Sequence, residues 1–436
     1  GQPSLGRPLR GPPPRSRAVC LLVQRTGSGR SVWAGPLVST GVSGAVKSLG
    51  LYAHFPFCPC RCPYCGFTVV TGKDDLHERY ATALCNELEA IARLAPAEGL
   101  ASVFFGGGTP TRLEPRLLER VLTTVRASLG IAVGAEITVE ANPGTTDAAR
   151  YADLRQIGFN RISIGAQSFF DQGLRLLGRD HTAADALGAF RASRKAGFDN
   201  VNLDLIFSIP GATDEDWQRT LDVVVDLRPE HISTYALTLE EGTSFQRRAR
   251  SGDLPVVCED DDARQYIGGL ERLTAAGYEH YEISNFALPG RRSRHNWAYW
   301  TGGEYLGVGV SAHRYVDGRR SWNTKDLPDY LARVEAGSSP TEGGERLDPA
   351  AATSERVWLG LRTCEGVKLG RVEREGLATK RRMADLVRGG FVQLEGDRMK
   401  LTGKGIPVAD AVSVEIVTMI EDLARDTQRG PDPSVP

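Results

Sequence analysis

The sequence predicts an α/β fold, a partial, open (β/α)6 barrel followed by a smaller carboxy-terminal helical domain of winged-helix-like form. Three observations carry this. From Leu49 onward, short apolar or β-branched runs alternate with amphipathic stretches, the pattern of parallel strands joined by helical crossovers. The alternation runs through six units, which suits an open barrel better than a closed eight-fold one. After Tyr235 it gives way to an aromatic region and then to mostly helical sequence ending in a hairpin and a further helix.

Taken in order, strands are expected at 51–55, 102–105, 136–140, 161–164, 202–207 and 231–236, each rich in Val, Ile, Phe or Tyr. Helices are expected between them at 75–94, 115–129, 183–195 and 214–227. A helix at 261–275 leads into an antiparallel-looking stretch from Tyr278 to Asn323. Gly, Ser, Pro and charge make 337–349 read as a linker. Strands at 391–394 and 398–401, around the Gly396–Asp397 turn, complete the winged-helix pattern. The expected division is an amino-terminal extension at 1–48, a barrel domain with its antiparallel extension at 49–325, a carboxy-terminal domain at 326–424 and a tail at 425–436. The first 48 residues are rich in Gly, Pro, Ser and Arg, and no acidic residue precedes Asp74, so they read as a disordered or non-native extension or as a transit peptide. The tail is likewise expected to be disordered.

The 436 residues carry 53 basic and 54 acidic side chains, a balance that favours neither nucleic acid nor a membrane surface. No apolar run approaches the roughly 18 residues needed to span a bilayer. Of the eight cysteines, Cys58, Cys60, Cys62 and Cys65 lie within eight residues, and Cys20, Cys85, Cys258 and Cys364 are scattered. Local clustering in a long chain favours metal binding in a reducing compartment over a disulfide framework, and the cytoplasm is the expected location.

The cluster follows the first strand, where a barrel of this kind gathers functional groups. Thiolates suit iron–sulfur clusters or zinc. The spacing Cys58-x3-Cys62-x2-Cys65 gives three ligands from one loop with no partner pair downstream, which leaves one position of a four-iron cluster open. A zinc knuckle that takes Cys60 as its fourth ligand is the alternative, though its donors are crowded.

The run Tyr52-x-His54-x-Pro56-Phe57-Cys58-x3-Cys62-Pro63-Tyr64-Cys65-x-Phe67 resembles the opening of the radical S-adenosylmethionine (SAM) superfamily, in its HemN/HemW (coproporphyrinogen III oxidase-like) branch. The resemblance covers roughly residues 49–423. It implies a [4Fe–4S] cluster on Cys58, Cys62 and Cys65 whose open iron is chelated by SAM, reduction of which yields a 5′-deoxyadenosyl radical. It also implies SAM contacts at Tyr52, at Tyr64 beside the adenine, at the loop Gly107, Gly108 and Thr109, and at Glu140, Gln167, Arg179 and Asp204. Each has an ordinary reading as a buried polar residue or surface charge, but together they recur in order at strand ends. Glycines permit close backbone approach, Gln167 can pair with a sugar hydroxyl and Arg179 can clamp a carboxylate.

Two features bear on the subfamily. Phe67 stands where HemN-type dehydrogenases usually carry a further cysteine, and His295-Asn296-Trp297-Ala298-Tyr299-Trp300 matches the H-N-x-x-Y-W motif of HemW-type haem chaperones. The resemblance therefore implies haem as a ligand, with His295, Tyr299 and Trp300 as candidate contacts, His313 as a second axial candidate and Arg291, Arg292 and Arg294 near the propionates. Packing between barrel and second domain is the plainer reading of that motif. Expected partners are recipient haem proteins, respiratory ones among them, and a reductant such as flavodoxin or ferredoxin; a homodimer and peripheral membrane contact are compatible. An oxygen-independent coproporphyrinogen III dehydrogenase, or a related radical SAM enzyme acting on a tetrapyrrole, is the alternative. A nucleic-acid role for the winged-helix end would rest on Lys380, Arg381 and Arg382 alone, too thin a basic footprint. The sequence departs from the family at Gly66, where an acid is usual, at the extra Cys60, and at Phe207-Ser208-Ile209.

Overall fold

The computed structural model describes residues 49–429, with side chains through 425. The extension at 1–48, Cys20 and the tail residues 430–436 lie outside the described residues. Six parallel strands stand in sequence order: β1 (Gly50–Phe55), β2 (Leu100–Gly107), β3 (Ile131–Ala141), β4 (Arg161–Gln167), β5 (Val201–Phe207) and β6 (His231–Ala236). Between them run α1 (His77–Ala90), α2 (Pro115–Leu129), α3 (Ala148–Ile157), α4 (Asp171–Leu176), α5 (Ala183–Lys195) and α6 (Asp214–Leu227). After β6 come α7 (Ser244–Arg250) and α8 (Glu259–Ala275). This is the expected open α/β barrel.

The pleat explains the layering. On β1, Leu51, Ala53 and Phe55 are wholly buried in the shell core with Tyr80, Leu84 and Leu88 of α1, whereas Tyr52 and His54 alternate to the inner face. Helices α5 and α6 begin where the sequence says, because Thr182 with Asp185 and Thr213 with Asp216 form reciprocal capping boxes. Helices α3 and α4 lie outside the expected set, and 75–94 is a helix broken at both ends by short 3-10 turns.

The region 278–323 differs from expectation. A hairpin of β7 (Glu279–Glu282) and β8 (Asn285–Ala287) pairs antiparallel onto β6, and the aromatic motif folds as helix α9 (Arg294–Trp300). The next strand, β9 (Tyr305–Val308), pairs parallel with β1, on the edge opposite β2. Beyond it lie β10 (His313–Val316) and β11 (Arg319–Asn323), both antiparallel. Helix α10 (Leu327–Glu335) then packs against α1, with Tyr330 and Leu331 in the same core. The stretch read as a linker contains strand β12 (Thr341–Arg346), which pairs with β11. Residues 327–346 thus join the large sheet and its core, and the second core starts only at α11 (Pro349–Gly360). The large sheet runs β12-β11-β10-β9-β1-β2-β3-β4-β5-β6-β8-β7.

The carboxy-terminal domain packs α11, α12 (Arg371–Ala378), α13 (Arg381–Arg388) and α14 (Ala409–Arg429) against a sheet of order β13-β15-β14. These strands are β13 (Val367–Lys368), β14 (Val392–Glu395) and β15 (Arg398–Leu401). Helix α14 extends through Arg429, into the stretch expected as a tail. The domain touches both wings of the large sheet. Arg320 on β11 pairs with Glu355 on α11, while the Cys364 N–H donates to the Tyr281 carbonyl on β7.

Candidate functional site

The cysteine loop leaves β1 and is tied at its base. Phe57 bridges Val70, the Cys58 N–H donates to the Val70 carbonyl at 3.0 Å, and the Val70 N–H donates to that of Pro56 at 2.8 Å. The Cys65 N–H closes a turn on the Cys62 carbonyl at 3.1 Å. Cys58, Cys62 and Cys65 are half-buried free thiols at the C-terminal end of the strands. Burial pushes the Cys58 thiol up to about 11 and raises Cys65 as well, aided by the neighbouring sulfurs. Thiolates in such a place need positive charge against them.

Cys60 lies beside Cys62, and its thiol donates to the Gly178 carbonyl at 3.6 Å. Among the described residues no three His, Cys, Asp or Glu side chains are gathered as ligands around a single ion. Cys58, Cys62 and Cys65, three soft sulfurs on one tied loop, would hold a multi-iron cluster.

The loop after β2 closes against the cysteine loop. The Gly108 and Thr109 N–H groups donate to the Phe55 and Phe57 carbonyls at 2.8 Å each, and Thr109 Oγ1 lies 3.6 Å from Cys58 Sγ. Gly107 has φ +108°, and a Cβ there would stand 2.3 Å from His54 Nδ1. Protein packing therefore demands this glycine. His54 Nε2 donates to the Thr68 carbonyl at 2.9 Å, so its Nδ1 accepts from the Tyr52 hydroxyl at 3.0 Å. Burial, which lowers the imidazole to about 4, keeps that ring neutral. Tyr52 is thereby fixed on the inner wall, stacked on Phe104.

Arg179 ties the site across the barrel. Its guanidinium donates to Cys62 Sγ at 3.4 Å, Asn142 Oδ1 at 2.5 Å and the Gly165 carbonyl at 3.2 Å. Tyr64 packs against Phe245, and burial raises its phenol. Gln167, at φ +63°, folds back so that a Cβ on Gly165 would meet its amide nitrogen at 2.8 Å. Gly66 also has a local reason, since a Cβ there would press on the Glu240 side chain at 3.1 Å.

Two buried carboxyls stand inside the barrel. Glu140 accepts from the Gly107 N–H at 2.9 Å, and desolvation with the nearby Asp204 charge lifts it to about 8. Burial raises Asp204 too, against hydrogen bonds from Ser163 at 2.8 Å and Asn202 at 2.9 Å. The Asn202 carbonyl oxygen accepts from His231 Nδ1 at 2.6 Å, and His231 Nε2 accepts from the Tyr281 hydroxyl at 2.8 Å. Arg161 is 1 % exposed among these groups, its Nε without a hydrogen-bond partner. Two desolvated acids inside the barrel favour a cationic ligand, and the ammonium and sulfonium of SAM are cations. The residues present therefore fit both implied cofactors. Sequence reading missed Asn142 and Arg161 as site residues; an arginine opening an otherwise apolar strand was the available signal for the second.

The H-N-x-x-Y-W motif lies at the other end of the barrel. Glu136 accepts from the Arg294 and His295 N–H groups at 3.0 and 3.1 Å, anchoring the start of α9. His295 is buried, with Nδ1 2.9 Å from Ser102 Oγ and Nε2 2.8 Å from the Tyr299 hydroxyl. It also stacks on Phe104 at 5.2 Å. Trp300 is buried, and Tyr299 meets Tyr305 edge-on at 4.5 Å. Because Ser102 pairs with Gly50, the first residue of β1, this group forms the barrel floor, away from the cysteines at the top. Arg292 is engaged with Glu279 and Glu365 and covers Trp297.

An open α/β barrel with three thiols on the loop after its first strand and carboxyls at the following strand ends is the core of a radical SAM protein. The sequence model of the radical SAM superfamily matches residues 52–224. Heme chaperone HemW of Mycobacterium tuberculosis (strain ATCC 25618 / H37Rv) is 39% identical over 370 residues, 84% of this chain and 94% of that protein. A zebrafish (Danio rerio) protein named radical S-adenosyl methionine domain-containing protein 1, mitochondrial, is 32% identical over 407 residues, 90% of this chain and 92% of that one. In structure, coproporphyrinogen III oxidase (HemN) from Escherichia coli aligns with a TM-score of 0.74 at 25% identity, covering 86% of this chain and 90% of that chain. The chain belongs to the radical SAM superfamily and, within it, to the HemN/HemW branch.

Proposed function

We propose that the chain is a haem chaperone that binds haem, carries a SAM-coordinating [4Fe–4S] cluster and delivers haem to recipient haem proteins. The observation that carries this reading is the match to HemW of M. tuberculosis over 94% of that protein's length. Two local features agree with it: Phe67, 45% exposed at the cysteine loop, and the complete H-N-x-x-Y-W motif. Cys58, Cys62 and Cys65 would hold the cluster, and when bound it supplies one-electron cleavage of the SAM sulfonium. The chain's own residues orient and neutralise. Glu140 and Asp204 offer carboxyl oxygens to the ligand's cationic groups, Glu140 releasing its proton as the positive charge arrives, Arg179 holds the Cys62 arm of the loop, and Tyr52 with Phe104 walls off water. An electron donor of the flavodoxin or ferredoxin type would serve the cluster, and free thiols of this kind suit the reducing cytoplasm. Among the described residues no helix is long and apolar enough to cross a membrane.

Coproporphyrinogen dehydrogenation is the second reading, favoured by the structural likeness to HemN. Anaerobic titration with haem separates the two. Stoichiometric growth of a Soret band, without decarboxylation of coproporphyrinogen in the presence of SAM and reductant, is the expected outcome. Turnover of that substrate would contradict the chaperone reading.

A further inference from the structure

The haem contact suggested by sequence, His295, has no nitrogen to spare. Both are hydrogen-bonded at the barrel floor, and the ring is stacked on Phe104. Another imidazole is differently placed. His313 opens β10, opposite Trp322 on β11, and its Nδ1 is buried without a hydrogen-bond partner. Burial, with the Lys325, Arg320 and His54 charges, lowers the ring to about 4, so it is neutral and one nitrogen keeps its lone pair.

The pleat shows which face it occupies. Arg314 and Asn323 turn toward Glu87 of α1, on the outer, helix-covered face. Their alternates His313, Tyr315, Arg320 and Trp322 therefore share the inner face. The register carries that face into the barrel: Tyr315 pairs with Tyr305, and Tyr305 with Gly50 on β1. The result is a half-buried aromatic wall. Its rings include Trp322, 5.8 Å from His313, and Tyr315, 6.5 Å from Tyr305. The Trp322 indole covers Gly343 of β12, where a Cβ would stand 2.6 Å from it. Aromatic faces beside an unengaged neutral imidazole are what a metalloporphyrin requires, and the exposed Lys325 stands near enough to His313 to meet an acidic substituent.

We propose that His313 on the β9–β11 wall, and not His295, supplies the axial ligand to haem iron. The inference rests on the haem-binding reading above. In the test, cluster-loaded full-length protein is titrated anaerobically with haem, as wild type, His313→Gly and His313→Cys, with the cluster absorption subtracted. Wild type should give the Soret maximum of an imidazole complex. His313→Gly should lose it and recover it on addition of free imidazole, and His313→Cys should shift it to a thiolate-type maximum. A His313→Gly protein that keeps the wild-type Soret maximum overturns the assignment while leaving haem binding intact. So does a cysteine variant with no shift, which carries the test if the glycine variant fails to fold. Failure of wild type to bind haem at all removes the chaperone reading, and this inference with it.

Discussion

Glu140 shows how a single buried group links stability to ligand binding. Its folded-state pKa of about 8 lies above the 4.5 of an ordinary glutamate. Between those values the folded chain holds a proton that the unfolded chain has released, so stability falls as pH rises, by up to about 1.4 kcal/mol per pH unit. Glu140→Gln keeps an acceptor for the Gly107 N–H and removes the charge. Cluster-free Glu140→Gln protein should therefore melt higher than wild type at pH 8.5 and alike near pH 4, while SAM binding by the reconstituted variant is lost. A lower melting temperature at pH 8.5 would count against this. His295 makes the complementary case. His295→Ala leaves Ser102 and Tyr299 without their partner and should cost about 1–3 kcal/mol in denaturation. With His313 as the axial ligand, the haem spectrum of His295→Ala should match that of wild type.

At the scale of elements, local chemistry was readable and remote pairing was not. Helices α2, α5 and α6 begin and end where the sequence places them, because Pro115 and the two Thr-x-x-Asp boxes mark their starts. Helix α3 buries only Tyr151 and Leu154, too little for a periodic signal. Strand β12, Thr-Glu-Gly-Gly-Glu-Arg, has no apolar residue at all and is a strand only through its pairing with β11, so it reads as a linker. Strand β9 could not be seen as parallel because its partner β1 lies some 250 residues upstream. The glycine loop reads as a ligand cradle, but the structure gives Gly107 a packing reason that pattern alone cannot show. Gly107→Ala should lower stability by about 1–3 kcal/mol through a strained φ and the clash with His54. An unchanged urea midpoint would show that the β1–β2 contact yields freely to an added methyl group.

For the whole molecule, the two ends of the barrel were legible to different degrees. The cofactor end could be read because its ligands follow one another along a loop and at successive strand ends. The proposed haem contacts could not, because His313, on the wall level with Tyr52, and His295, on the floor, differ only in their three-dimensional company. One has its nitrogens occupied and the other does not. The second domain braces both wings of the sheet, through Arg320 with Glu355 and Arg292 with Glu365, so wall and floor are tied to the same second domain.

The SAM chemistry proposed for this chain depends on three thiolates holding an iron–sulfur cluster, and metal analysis of anaerobically reconstituted protein tests that most directly. About four irons and four inorganic sulfides per chain are expected, with the visible absorption absent in Cys62→Ser. Zinc with negligible sulfide, or a Cys62→Ser spectrum identical to wild type, would contradict it.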